Sequence, residues 1–321
     1  LVISAVALPC LAPAEGFAAT KSHTVHHHKK RHHSHHHSSQ QSSTRHFSAL
    51  VVDADTGKVL YSNHAGAIRY PASLTKMMTL YLTFDALKKG HLRMDQTIMV
   101  SSKASVQPPT NIGLERGDRL PVRIAIESVI VRSANDSAMT LGEALGKTEW
   151  NFALLMTKKA HELGMKDTVF RNPSGLPDNR QHTTALDMAR LAIALHRDFP
   201  EYYHLFSLQS FDYDGVTYPG HNHVMERYPD MVDGVKTGYI RASGYNLVTS
   251  AHRDGHNLVG VIMGGKTAES RDVQMVSMLD RTFGQLGHKR VADDDSYLEP
   301  DNENKMEEAS NVMPLQAGEG N

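Results

Sequence analysis

Ser73 and Lys76, three residues apart in Ser73-Leu74-Thr75-Lys76, are the first pair in the chain whose types and spacing suit covalent chemistry. A serine hydroxyl is a poor nucleophile until a base takes its proton. A lysine can be that base when its surroundings keep the amine neutral, and a buried site with a second cation nearby does this. Spacing of three places both side chains on one face of a helix. A second cluster, Ser133-Ala134-Asn135, offers a hydroxyl and an amide at a break between two helical patterns. A third, Lys236-Thr237-Gly238, offers a cation and a hydroxyl to a carboxylate. Its glycine leaves room for another backbone, as an edge strand needs when it pairs with an extended peptide. Taken singly, each has an ordinary explanation: a capping serine with a surface lysine, or the Ser and Asn common at helix breaks. The three in this order, each on a suitable element, make a coherent catalytic set.

The elements that must position these residues follow from periodicity. Phe47–Val52 reads as a strand, Asp53–Gly57 as a turn and Lys58–Ser62 as the returning strand. Ala72–Lys89 reads as a helix apolar on most sides, hence buried and central, with Gly90 as its stop. Further helices fit Val122–Arg132, Asp136–Leu145, Glu149–Leu163 with Thr148 as N-cap and Gly164 as terminator, and Ala185–Arg197. Thr184 and Asp187 have capping-box-like spacing ahead of the last of these. Gly244–His252 and His256–Met263 form a hairpin around Arg253-Asp254-Gly255, and a terminal helix covers about Glu269–Gln285. Strands at both ends with helices between predict one sheet built from both ends of the chain and covered by helices.

The charges nearly cancel, 34 Lys and Arg against 35 Asp and Glu, which argues against a nucleic-acid partner. Their distribution is uneven, and it divides the chain. Residues 1–19 open with the apolar run Leu1–Ala14 and continue into small residues, like the core and cleavage region of a secretory signal. The run is too short for a comfortable transmembrane helix, and Pro9 stands poorly before Cys10 for a lipoprotein reading. Cys10 is the one cysteine, so no internal disulfide or cysteine metal cage exists. Residues 20–46 carry ten of the 21 histidines and no acid, which reads as a low-complexity spacer rather than a catalytic metal site. Residues 289–321 are acidic and are expected to be a disordered tail, the wrong charge to rest on anionic lipid. The expectation is an exported, periplasmic protein with a folded domain at 47–288 and no stable membrane anchor.

The trio resembles the penicillin-interacting serine enzymes, in which Ser-x-x-Lys, Ser-x-Asn and Lys-Thr-Gly line one cleft. More narrowly, three runs look like those of low-molecular-mass D-alanyl-D-alanine carboxypeptidases: Tyr70–Thr79, Asn172-Pro173-Ser174-Gly175-Leu176-Pro177 and Thr183–Ala189. The resemblance implies an α/β (α+β) fold of the β-lactamase/transpeptidase type, an antiparallel sheet flanked by helices plus a helical region. It implies that Ser73 attacks the penultimate D-Ala carbonyl, Lys76 is the general base and Ser133 passes a proton to the departing nitrogen. Asn135 would hold the substrate amide, and Lys236 and Thr237 the terminal carboxylate. Gly238 belongs to the same binding strand, and backbone N–H groups of Ser73 and Tyr239 would form the oxyanion hole. Arg271 resembles an arginine near the substrate carboxylate. Peptidoglycan stem peptides are the implied partners, β-lactams the implied covalent inhibitors, and neither cofactor nor metal is called for.

Class A β-lactamases share the trio and add a glutamate in a Glu-x-x-Leu-Asn run. None of Glu143, Glu149, Glu162, Glu201 and Glu226 begins such a run, so a peptidase with a persistent penicillin adduct is favoured. A cross-link-cleaving endopeptidase is the close alternative. A zinc peptidase is disfavoured because His161-Glu162-Leu163-Gly164-Met165 lacks the second histidine of His-Glu-x-x-His, and His221 and His223 read as loop residues. A silent wall-peptide or β-lactam binder has no chemical need for Ser73, Lys76 and Ser133 together.

Overall fold

Strands from the two ends of the chain meet in one sheet. In the computed structural model, which describes residues 47–294 and the side chains through 287, β1 (Ser48–Asp53) pairs antiparallel with β2 (Val59–Asn63) on one side. On its other side β1 pairs with β9 (His256–Gly265). The sheet continues through β8 (Gly244–Arg253) to β7 (Val232–Ile240), in the order β2-β1-β9-β8-β7. The first 46 residues and the acidic stretch after residue 294 lie outside the described residues.

Successive strand side chains point to opposite faces, and here both faces are covered. Leu50, Val52, Val248 and Val261 join the core under the helical region. Ala49, Val51, Leu247 and Ile262 meet Met275, Leu279 and Phe283 of the terminal helix α6 (Ala268–Asp294). Between sheet and helical region runs α1 (Lys76–Lys88), whose Met77, Met78, Leu80 and Phe84 are wholly buried. Each such side chain contributes about 1.5–3 kcal/mol through burial, so α1 is a fixed axis for whatever it carries.

The expected helices are present within a residue or two: α2 (Val122–Val131), α3 (Asn135–Gly146), α4 (Glu149–Glu162) and α5 (Ala185–Asp198). Thr148 caps α4 by accepting from the Asn151 N–H, and Thr184 caps α5 by accepting from the Asp187 N–H. The Asp187 carboxylate takes other partners, the Thr168 hydroxyl, the Asp167 N–H and Arg190. It thereby ties α5 to the segment that leads into Asn172–Pro177.

Three departures from the sequence reading matter. The helix expected over Ala72–Lys89 begins as a separate 3₁₀ turn, Ala72–Thr75, before α1 starts. Two small antiparallel pairs escaped the periodicity: β3 (Thr97–Met99) with β4 (Arg119–Pro121), and β5 (Ser210–Tyr213) with β6 (Val216–Pro219). The second had a readable signal, since its turn is Asp214-Gly215 with positive φ at both residues, the same chemistry as Asp254-Gly255 between β8 and β9. Finally, the terminal helix runs past Gln285 to Asp294.

Candidate active site

The 3₁₀ turn sets the first pair. Residues three apart eclipse one another on such a turn, and Lys76 Nζ lies 3.2 Å from Ser73 Oγ. The turn is held in an unusual shape: Ala72 has φ 50°, a conformation that costs a residue with a Cβ about 1–3 kcal/mol. The Asn172–Pro177 loop packs against it so closely that a Cβ on Gly175 would stand 1.8 Å from the Ala72 carbonyl oxygen. Asn172 shapes that loop by accepting from the backbone N–H groups of Ser174 and Gly175.

Lys76 is completely buried. Its Nζ also contacts Asn135 Oδ1 at 2.7 Å and the Ser174 carbonyl at 2.6 Å. Burial pushes its amine well below the usual lysine range, the Lys236 charge pushes the same way, and Asp136 opposes both. A neutral amine has two hydrogens and one lone pair. With Asn135 and Ser174 accepting the two hydrogens, the lone pair is left for the Ser73 proton.

The second cluster occupies the break between α2 and α3. Ser133 has φ 60°, and its Oγ is buried without a hydrogen-bond partner among the described residues. Asn135 is engaged at both ends, by Lys76 at Oδ1 and by the Pro108 carbonyl at Nδ2. Its neighbour Asp136 accepts from the Ile112 and Leu114 N–H groups, which fixes the loop that brings Pro109 and Thr110 to the site.

The third cluster is on β7, the sheet edge nearest the turn. A Cβ on Gly238 would lie 3.1 Å from Ser73 N and 3.2 Å from Leu74 N, so glycine lets this strand lie directly against the nucleophile's amides. Lys236 is buried, with its Nζ on the Thr237 carbonyl, and its pKa falls to about 7 through burial and the Arg271 charge.

Together these residues line a cavity of about 460 Å³ that includes Ser73, Ser133, Asn135, Thr237, Gly238, Tyr239 and Arg271. Arg271 lines the cavity and is also held from within the protein. It is 3% exposed, its Nε and Nη2 both donate to Asp272 Oδ1, and its Nη1 donates to the Asn246 carbonyl. These bonds use three of the guanidinium's five N–H donors.

Several lining residues escaped the sequence reading as site residues. Ser174, Gly175 and Leu176 enter through the loop that supports Lys76. His221 and His223, taken as loop histidines, also face the cavity. Arg132 Nη1 stands 3.1 Å from His221 Nε2. A guanidinium can only donate, so Nε2 accepts and the ring hydrogen is on Nδ1. Burial, Arg132 and Lys236 lower the His221 pKa. No local pattern marks these two, because the β5–β6 hairpin and the turn after it bring them in. Among the described residues no carboxylate lines the cavity, and no cluster of three or more His, Cys, Asp or Glu is arranged to hold a metal.

Comparison with known proteins agrees with this geometry. The sequence profile of D-alanyl-D-alanine carboxypeptidases matches residues 35–267. The chain is 34% identical to the D-alanyl-D-alanine carboxypeptidase DacF of Bacillus subtilis over 74% of its own length and 62% of the relative's. It is 30% identical to a D-alanyl-D-alanine endopeptidase of Pseudomonas aeruginosa, over 70% and 74% of the two chains. The structure resembles penicillin-binding protein D2 from Listeria monocytogenes in its cefotaxime-bound form, with TM-score 0.67, 27% identity and coverage of 74% and 96%. The chain spans a little over 60% of the length of the carboxypeptidases it matches. With its profile match across most of the folded region and its three clusters gathered in one cleft, this chain belongs to the D-alanyl-D-alanine carboxypeptidase family.

Proposed function

We propose that the chain is a serine-type D-Ala-D-Ala carboxypeptidase that removes the terminal D-Ala from peptidoglycan stem pentapeptides through an acyl-enzyme on Ser73. The observation that carries this reading is the buried Lys76 amine, 3.2 Å from Ser73 Oγ with its other contacts on Asn135 and Ser174. In this scheme Lys76 takes the Ser73 proton as Oγ adds to the penultimate D-Ala carbonyl. The backbone N–H groups of Ser73 and Tyr239 donate to the developing oxyanion. Ser133, with its hydroxyl unpartnered, relays a proton to the departing amine as the C–N bond breaks. Lys236 and Thr237 bind the terminal carboxylate, and water then hydrolyses the ester. Asn135 orients Lys76 as well as the substrate amide, and Arg271, which lines the cavity, stands near the terminal carboxylate.

β-Lactams acylate the same serine in this scheme, and the adduct persists because no carboxylate among the described residues lines the cavity to activate water. The reading further includes export to the periplasm, supported by the apolar run Leu1–Ala14 and the small residues after it. No described helix is long and apolar enough to cross a membrane.

Intact-protein mass spectrometry after incubation with benzylpenicillin, with the adduct mapped by digestion, is the test. A slow-leaving adduct on the peptide containing Ser73 supports the reading; intact penicillin and unmodified protein overturn it. Cleavage of cross-links is the second reading, supported by the 30% identity to a D-alanyl-D-alanine endopeptidase. Release of D-Ala from a monomeric pentapeptide, compared with splitting of a cross-linked dimer, separates the two.

A further inference from the structure

Asn246, the third residue of β8, is wholly buried directly opposite Gly238 of the Lys236-Thr237-Gly238 strand. Every polar atom of its side chain is used. Nδ2 donates to the Tyr70 carbonyl at 3.0 Å and to the Pro71 carbonyl at 3.1 Å. Oδ1 accepts from the Gly264 N–H at 3.0 Å. These partners fix the amide's orientation, since two carbonyls require the NH₂ end and an N–H requires the oxygen. The Pro71 carbonyl also accepts from the Leu74 N–H, the bond that closes the turn carrying Ser73. Asn246 therefore grips the nucleophile turn at its first residues while its own strand is paired to the strand that holds the substrate.

This contact exists because Gly238 has no side chain. With only hydrogen there, the Ser73 turn closes down on β7, and Asn246 reaches the turn's entry from the next strand. Arg271 completes the arrangement from the other side. Its Nη1 donates to the Asn246 backbone carbonyl, and Asp272 holds the rest of the guanidinium. The cation expected at the substrate carboxylate is thus tied to the residue that positions the nucleophile. The left-handed Ala72 makes such a grip necessary, because a turn of this kind keeps its shape only where its surroundings over-determine it.

We propose that Asn246 is a positioning residue for acylation, braced by Arg271: it sets the distance between the Ser73 turn and the Lys236-Thr237-Gly238 strand, and so the oxyanion site between them. The proposal rests on Ser73 being the acylated nucleophile. It predicts that loss of the Asn246 amide slows the chemical step while leaving ligand binding nearly intact.

The experiment is rapid-quench acylation by benzylpenicillin of the full chain, resolved into a saturation constant and a first-order acylation constant, per titratable site. Asn246→Ala is expected to lower the acylation constant about 10- to 100-fold, the scale of a small misplacement of reacting groups, with the saturation constant changed less than about threefold. Leu279→Ala, in the core on the far face of the sheet, is the control for general destabilisation and should keep the wild-type constant per site. Asn246→Asp is the isosteric second variant, and it serves alone if Asn246→Ala does not fold. Its carboxyl can donate to Tyr70 or Pro71 only when protonated, so its acylation constant relative to wild type should rise as pH falls from 8 to 6. An acylation constant within twofold of wild type in the Asn246 variants, or an equal loss in Leu279→Ala, overturns the proposal. Absence of wild-type acylation instead removes the Ser73 reading itself.

Discussion

Lys76 Nζ makes its longest contact with the residue it would deprotonate, 3.2 Å to Ser73 Oγ, and shorter ones of 2.7 and 2.6 Å with Asn135 Oδ1 and the Ser174 carbonyl. The two shorter contacts are to pure acceptors, so they consume the hydrogens of a neutral amine and aim its lone pair at the serine. On the proposed mechanism Asn135 orients the base.

Replacing Asn135 by Asp should therefore do more than remove a substrate contact. A carboxylate 2.7 Å from Nζ would favour the charged lysine and raise its pKa, by about 1–3 units for a close opposite charge. We expect the acid limb of the kcat–pH profile to move up by at least one unit, with activity partly recovered in alkaline buffer. An unmoved limb would mean that Lys76 is not the group titrating in that limb.

Lys236 links activity to stability. Its folded pKa of about 7 lies below the unfolded value of 10.5. Between those values the unfolded chain holds a proton that the folded chain lacks, so stability rises with pH across that window. At and below pH 7 the burial penalty is fully present. Lys236→Met should accordingly gain about 1 kcal/mol or more at pH 6, roughly 2–4 °C in Tm, with the gain shrinking toward pH 10, while kcat/KM collapses. Calorimetry of both proteins at pH 6 and 9.5 checks the sign.

Ser133→Ala should slow acylation by about 10²-fold or more, the usual scale for a positioned proton-transfer group, without lowering Tm. A buried hydroxyl with no partner carries a desolvation cost of about 1–3 kcal/mol that its removal relieves. A Tm loss of several degrees would show that Ser133 has a structural bond in solution.

The two glycines that frame the nucleophile turn should fail in different ways. Gly175→Ala drives a Cβ to 1.8 Å from the Ala72 carbonyl at a residue with φ 86°. A loss above about 4 kcal/mol, or no soluble protein, is expected. Gly238→Ala meets Ser73 N at 3.1 Å, a contact a small shift relieves. It should fold, and its acylation rate should fall more than its stability. Urea melts and single-turnover acylation separate the two outcomes.

Much of this was legible in the chain itself. Type, order and spacing single out Ser73, Lys76, Ser133, Asn135 and Lys236-Thr237-Gly238, which the fold brings together, because a helix turn and a strand edge carry such groups locally. The buried α1 helix and the β8–β9 hairpin were read from periodicity and Asp-Gly turn chemistry for the same reason. Arg271 shows the limit. Its type suggested a place near the substrate carboxylate, and its side chain lines the cavity, but its bonds to Asp272 beside it and to Asn246 across the fold could not be read from the chain. His221, His223 and Asn246 carry no local signal for this cleft, and Ser174 stands in a recognisable run without a role legible there, since each reaches the site through a loop or strand whose placement depends on the packed sheet. Residue type and spacing along the chain say which groups can react. Tertiary structure alone decided their protonation and spacing, because desolvation, opposing charge and the approach of one backbone to another arise only when distant segments are packed together.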